Sequence, residues 1–222
     1  MIKTKMDLKF YLAADKYALG RDRSRPSIND DVWKFQRILR KVEYYKNKKP
    51  DIISKLLLPI YQLRKYKLGI SLGFDIPTNV FGPGLRINHF GNIVVSKSAV
   101  IGMWCDIHQG VNIGSNNSVS GQELVPRIGN NVWIGPGVKI FGDIEIGNEV
   151  QIAANAVVNK SVCNNKTVGG IPAKVISDHG TENVNVAASK ARMMKFIELH
   201  PQFRQYFNIS SVNVLENMKL DG

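Results

Sequence analysis

Imidazoles are the side chains best suited to moving a proton near neutral pH, and this sequence has four: His89, His108, His179 and His200. His89 is set apart by its surroundings. It lies in Asn88-His89-Phe90-Gly91, where two extra residues interrupt a regular pattern. Interruptions of that kind leave as surface loops, often on a binding face. Cys105 and Cys163 are far apart, so neither a disulfide framework nor a zinc knuckle is indicated. A zinc site of three imidazoles needs ligands from adjacent faces. Only His89 and His108 fall in the patterned region, so no metal is expected. Considered alone, a His in a loop is more often a surface residue than a catalyst, and the bulge and the neighbouring Gly91 are what single out His89.

The pattern is a repeat of six. Aliphatic residues recur at Val95, Ile101, Ile107, Ile113 and Val119, then at Ile128, Ile134, Ile140, Ile146, Ile152 and Val158. Every step is six except the nine from Val119 to Ile128. Gly often follows, as at Gly102, Gly114, Gly129, Gly135 and Gly147, where the backbone must turn tightly. Neither a 3.6-residue helix nor an alternating hairpin sustains such a period. A triangular prism does: each unit is one short strand plus a turn, and three units close a coil. Upstream, Ile76, Phe81, Ile87 and Val95 follow at steps of five, six and eight. The surplus is placed at His89 and in a second loop, about Ser120 to Pro126, and both are candidate site loops. Counting three units per coil stacks Ile87, Ile107 and Ile128, with His89 above Gln109 and Gln109 above Asn130.

Flanking segments read as helices. Asp7–Leu19 is one. A second follows Asn29-Asp30, a plausible cap, and runs towards Pro50. A third covers about Ile52–Tyr66, with Pro59 expected to kink or break it. At the far end Ala187–Phe207 reads as one or two helices covering the last coil, after a polar connector, Ser177–Val186. The expected division is 1–70 helical, 71–177 prism, and 178–222 connector and C-terminal helix.

With 44% apolar residues the chain is expected to fold. The start has no continuous apolar stretch and no run could span a bilayer, so a cytoplasmic location is expected. The net charge of +12 is uneven: residues 1–70 hold 18 Lys/Arg against 7 Asp/Glu. That basic segment is either a solvated helical face or a surface for a polyanionic substrate or the inner membrane surface. No nucleic-acid module is legible, and nucleic acid is not expected.

Prisms of this kind are hexapeptide-repeat acyltransferases, and the likeness extends to motifs. Phe74-Asp75-Ile76-Pro77, Gly82-Pro83-Gly84-Leu85-Arg86-Ile87-Asn88-His89 and Ile93-Val94-Val95 resemble the catalytic stretch of serine acetyltransferases. Ile134-Gly135-Pro136-Gly137, Ile152-Ala153-Ala154-Asn155-Ala156-Val157-Val158 and Val168-Gly169-Gly170-Ile171-Pro172-Ala173-Lys174-Val175-Ile176 continue it. The sequence also resembles shorter relatives encoded with capsule and O-antigen enzymes. The resemblance implies a mainly-β chain: a left-handed parallel β-helix with an N-terminal α-helical segment and a C-terminal helix.

It also implies an acetyl-CoA-dependent O-acetyltransferase without a metal. His89 is then the general base that takes a proton from the acceptor hydroxyl, and Asp75 orients its imidazole. Asn88 and Gln109 become candidates for the acceptor. Acetyl-CoA would lie between neighbouring prisms of a homotrimer, against Gly135, Gly137, Ala153, Ala154 and Ala173, with Lys174 near a phosphate. Trp104 and Trp133 either stack on adenine or sugar or pack a prism face. His108, one residue off the line of His89, is expected to be structural or peripheral.

Two positions depart from serine acetyltransferases. Those enzymes carry Asp immediately before the catalytic His, for the serine amine; here stands Asn88. They carry an Arg-His pair before a Pro, for the carboxylate; here Leu124 and Val125 precede Pro126. Losing two charge-assisted contacts favours a neutral acceptor, so a capsular or O-antigen saccharide, or its precursor, is expected. The alternatives are a serine O-acetyltransferase with a divergent acceptor site, a carbonic anhydrase of the same fold, and a non-catalytic scaffold.

Overall fold

The computed structural model describes residues 1–117, 123–181 and 189–207. Three helices come first: α1 (Lys5–Ala18), α2 (Asp31–Asn47) and α3 (Ile52–Leu72). Thr4 caps α1 by accepting from the Asp7 amide, while the Asp7 carboxylate accepts from the Thr4 amide. Asp51 caps α3 through the Ser54 amide, and Gly73, in the left-handed region at φ 73°, ends it. Of the kink or break expected at Pro59, a break does not occur, since α3 runs through it to Leu72. A prolyl residue removes a single ladder bond, and the helix is long enough to continue on both sides.

From residue 74 the chain coils around three parallel sheets. One face stacks β1 (Phe74–Asp75), β3 (Ile93–Val95), β6 (Asn112–Gly114), β11 (Lys139–Phe141) and β14 (Val157–Val158). The second stacks β2 (Arg86–Ile87), β5 (Asp106–Ile107), β10 (Trp133–Ile134), β13 (Gln151–Ile152) and β15 (Thr167–Gly169). The third stacks β4 (Val100–Ile101), β9 (Arg127–Ile128) and β12 (Glu145–Ile146). Successive strands visit these faces in turn, which is the three-sided coil that the period of six requires. The inward residues are buried aliphatics: Ile87, Ile107, Ile134 and Ile152 on the second face, and Ile101, Ile128 and Ile146 on the third. Each such side chain contributes roughly 2 to 3 kcal/mol by leaving water.

The stacking expected from sequence is therefore corrected. Ile128 lies under Ile101, not under Ile107, whose partner in the next coil is Ile134. The surplus of nine residues falls between Ile113 and Ile128, which occupy successive faces. It leaves the prism as a hairpin of β7 (Asn116–Asn117) and β8 (Glu123–Leu124). Val119 and residues 120–122 of the expected loop lie outside the described residues.

More residues lie in the helices than in the strands, because each coil places most of its length in turns. The mainly-β description fits the prism and not the whole chain. At one corner the turns are tied by asparagines: Asn130 Oδ1 accepts from the Met103 amide (2.8 Å), Asn148 Oδ1 from the Asn130 amide (2.7 Å), and Asn164 Oδ1 from the Asn148 amide (2.7 Å). Each supplies an acceptor to a backbone donor that the turn leaves without a ladder partner.

Helices α1 and α2 fasten the first coil. Arg40 of α2 is fully buried. It donates to Asp15 (2.8 Å), to Glu43 (3.0 Å) and to the carbonyls of Phe81 (2.9 Å) and Gly82 (2.6 Å). Asp15 in turn accepts from the amides of Gly84 (2.9 Å) and Leu85 (3.0 Å). At the far end, α4 (Ser189–Leu199) and a 3-10 helix (Pro201–Phe207) do not cover the last coil as expected. They pack on α1, where Phe10 meets Phe196, Phe203 and Phe207. The open edge of the second face is taken instead by β16 (Lys174–Ser177), antiparallel to β15. Residues 182–188, which include part of the expected connector, lie outside the described residues. No helix among the described residues is long and apolar enough to cross a membrane.

Candidate active site

Between Ile87 and Val95 the chain takes two residues more than one face needs, and His89 is carried on that bulge. The bulge is held at both ends: Asn88 donates its amide to the Ile107 carbonyl (3.0 Å), and Gly91 donates to Leu72 at the end of α3 (2.9 Å). Gly91 has φ 128°, and a Cβ there would stand 3.1 Å from Gln109 Cβ. A side chain at that position would be strained and would press on Gln109. His89 itself is exposed.

Its neighbour is an imidazole of different character. His108 lies with its ring centroid 6.2 Å from that of His89 and packs 4.9 Å from Trp133. Burial, with Arg86 and His89 nearby, pushes its pKa down to about 4. It is thus neutral at pH 7, and its Nε2 accepts from the Asn88 side-chain Nδ2 at 3.1 Å. Asn88 is therefore fixed beside His89 by a bond to the next coil.

A cavity of about 520 Å³ opens at His89. Arg86, Asn88, His89 and Phe90 of the first coil form one wall, Asp30, Asp31 and Val32 at the start of α2 another, and Ser71 and Leu72 of α3 a third. Sequence reasoning missed Arg86 and Asp31. Arg86 occupies an ordinary outward position of β2, and Asp31 is 58 residues from His89, so no local pattern marks either.

Asp75 is placed differently. It is exposed on β1, paired with Val94, and lines a second cavity of about 580 Å³ with Lys65, Tyr66 and Thr78. Among the described residues no hydrogen bond joins it to His89. Gln109 follows the expected line as far as register goes, one place beyond His108 beneath the bulge. Its carbonyl accepts from the Gly137 amide (2.9 Å). Its Oε1 is buried without a partner among the described residues. Asn130, expected beneath it, belongs to the asparagine corner.

The small residues fall along one corner below His89. Gly135 donates to Ile152 (3.0 Å), Ala153 donates to Val168 (2.8 Å), and Gly137 lies in the left-handed region at φ 75° against Gly110. Ala154 is exposed on the same corner. Ala173 donates to the Val157 carbonyl (2.8 Å), and Lys174 projects from β16 at the distal end. Trp104 is 1% exposed and packs between the prism, Tyr17 and Phe196, so it is a packing residue. No group of three or more His, Cys, Asp or Glu among the described residues could hold a metal ion.

Comparison with known proteins gives first a class. Residues 126–160 match the family described as bacterial transferase hexapeptide (six repeats). The more particular likeness is to serine acetyltransferases. That of Synechococcus elongatus is 36% identical over 121 residues, covering 52% of this chain and 49% of that protein. That of Haemophilus influenzae is 38% identical over 111 residues, covering 49% and 41%. The solved soybean serine acetyltransferase complexed with serine superimposes with a TM-score of 0.61 at 25% identity, covering 78% of this chain and 70% of that one. The chain spans about half the length of the curated relatives it matches. These findings overturn the saccharide acceptor expected above. The departures noted at Asn88, Leu124 and Val125 do not themselves select a sugar, and the relatives are named for serine.

Proposed function

We propose that this chain is an acetyl-CoA-dependent serine O-acetyltransferase on a left-handed β-helix, with 71–177 as the catalytic unit. The observation that carries the reading is the likeness to serine acetyltransferases in a chain that sets an exposed imidazole at the head of a corner of small residues. The serine hydroxyl attacks the thioester carbonyl, forming the ester C–O bond and breaking C–S. His89 accepts the hydroxyl proton and returns it to the departing coenzyme A thiolate. Asn88, held by His108, borders that imidazole.

We assign the corner from Gly110 through Gly137 to Ala154 to the pantetheine arm because it carries small residues below His89. The two glycines themselves pack against the next coil, where a Cβ at Gly110 would stand 3.2 Å from Gly137 and one at Gly137 would overlap Asn155 Oδ1. Gly135, Ala153 and Ala173 belong to the same strip, and Lys174 at its end would meet a phosphate. No hydrogen bond joins Asp75 to His89 among the described residues. A homotrimer with sites between subunits belongs to the same proposal.

Incubating the protein with acetyl-CoA and L-serine, and following loss of thioester absorbance together with the acetylated product by mass spectrometry, tests this reading. His89→Ala is expected to lower kcat by about 10² to 10⁴-fold. No acetylserine from the unaltered protein would reject the acceptor; an unimpaired His89→Ala would reject the base.

A further inference from the structure

The cavity at His89 carries charge of both signs, and two of its charged groups have capacity left. Arg21 and Asp30 are largely spent on each other, through Nε to Oδ2 at 2.8 Å and Nη2 to Oδ1 at 3.2 Å. Arg86 is not. Its bond among the described residues is from Nη1 to Asp106 Oδ2, at a long 3.3 Å. That same oxygen is held more closely by Arg192, at 2.6 Å. A guanidinium has five N–H donors, so most of those of Arg86 remain available at the cavity wall. Asp31, which lines the same cavity, is about half exposed and meets Lys34 through Oδ1 at 2.7 Å. An exposed pair of that kind is weak, and the second carboxylate oxygen has no partner among the described residues.

Resting on the serine reading above, we infer that Arg86 and Asp31 are the acceptor-recognition pair: Arg86 receives the carboxylate of serine and Asp31 its ammonium. The hydroxyl is then turned towards His89, three residues beyond Arg86 on the same wall. A planar guanidinium binds a carboxylate through two parallel N–H bonds, which fixes orientation as well as charge. The two contacts missing at Asn88 and at Leu124-Val125 are thereby supplied from other elements, β2 and the start of α2. The fold keeps a zwitterion site while its residues change.

The test compares three acceptors: L-serine, ethanolamine without the carboxylate, and 3-hydroxypropanoate without the ammonium. Arg86→Gln is expected to raise KM for serine about 10- to 100-fold, from the loss of a charged pair of hydrogen bonds. KM for acetyl-CoA should stay within about twofold, and activity towards ethanolamine should be little changed. Asp31→Asn should raise KM for serine similarly and spare 3-hydroxypropanoate. Arg86→Lys keeps the charge and the reach to Asp106 but not the fork, and should fall between wild type and Arg86→Gln. If Arg86→Gln does not fold, Arg86→Lys and Asp31→Asn decide. Wild-type KM for serine in those variants overturns the inference. No serine acetylation by the unaltered protein fails the underlying reading instead.

Discussion

Replacing Arg40 by Met removes the cation that holds the first coil to the helices. The methionine fills much of the volume but leaves Asp15 and Glu43, both at most 2% exposed, without their partner. The carbonyls of Phe81 and Gly82 also lose their donor. Breaking a buried ion pair from one side costs about 3 to 5 kcal/mol, because the stranded charge cannot return to water. A domain has only about 5 to 15 kcal/mol in total, so the variant should unfold at a much lower urea concentration. Trp33 and Trp104, each 1% exposed, report the transition by fluorescence. Adding Asp15→Asn and Glu43→Gln removes both stranded charges. Their oxygens can still accept from Gly84, Leu85 and Asn79, so at least half the loss should be recovered. Hydrogen exchange at the Gly84 and Leu85 amides should accelerate in Arg40→Met before the other coils are affected. A single variant within about 1 kcal/mol of wild type, or a triple variant no better than the single, would refute the assignment of Arg40 as the fastening charge.

His108 titrates near 4 when folded and near its ordinary 6.5 when unfolded. The unfolded chain therefore binds a proton that the native state refuses, and stability falls as pH drops from 6.5 towards 4. After discounting for partial solvent access, wild type should lose about 1 to 2 kcal/mol more than His108→Asn between pH 7 and 4.5; equal losses would contradict the assignment. Cys105 is buried, and burial pushes its thiol pKa up, whereas Cys163 is exposed. One thiol per chain should react with a disulfide reagent in native protein and two in urea; two in the native state would place Cys105 wrongly.

The period of six was legible because inward positions on all three faces take the same kind of residue, so the repeat survives even where a coil is lengthened. Register was not legible for the same reason. Ile87, Ile107, Ile134, Ile152 and Val168 stack at steps of 20, 27, 18 and 16, and nothing in an aliphatic residue says which face it serves. Resolving the stack needs the knowledge that nine residues leave after Ile113. The start of α2 was visible after Asn29-Asp30, although Asp30 makes no side-chain capping bond, whereas Thr4 and Asp51, which do cap α1 and α3, were not marked. The continuation of α3 past Pro59 depended on length that local propensity does not report. Of the candidate site, His89 was marked by the bulge and the small residues by their turns. Arg86, Asp31 and the bond of His108 to Asn88 join separate coils and helices, so spacing along the chain does not reveal them.

The aromatic joint of Phe10 with Phe196, Phe203 and Phe207, sealed by the Tyr206 hydroxyl donating to Asp7 at 2.8 Å, has a consequence for biosynthesis. During translation each coil can settle on the one before it, since its partners are already made. Helix α1 is made well before its partners, and part of its apolar face waits for residues some 190 positions later. Until then Phe10 is an uncovered hydrophobic group on a nascent chain, open to chaperones or to a neighbouring copy. The joint can close only after residues 196–207 have been made, and a chain stopped before residue 196 would lack these partners for Phe10.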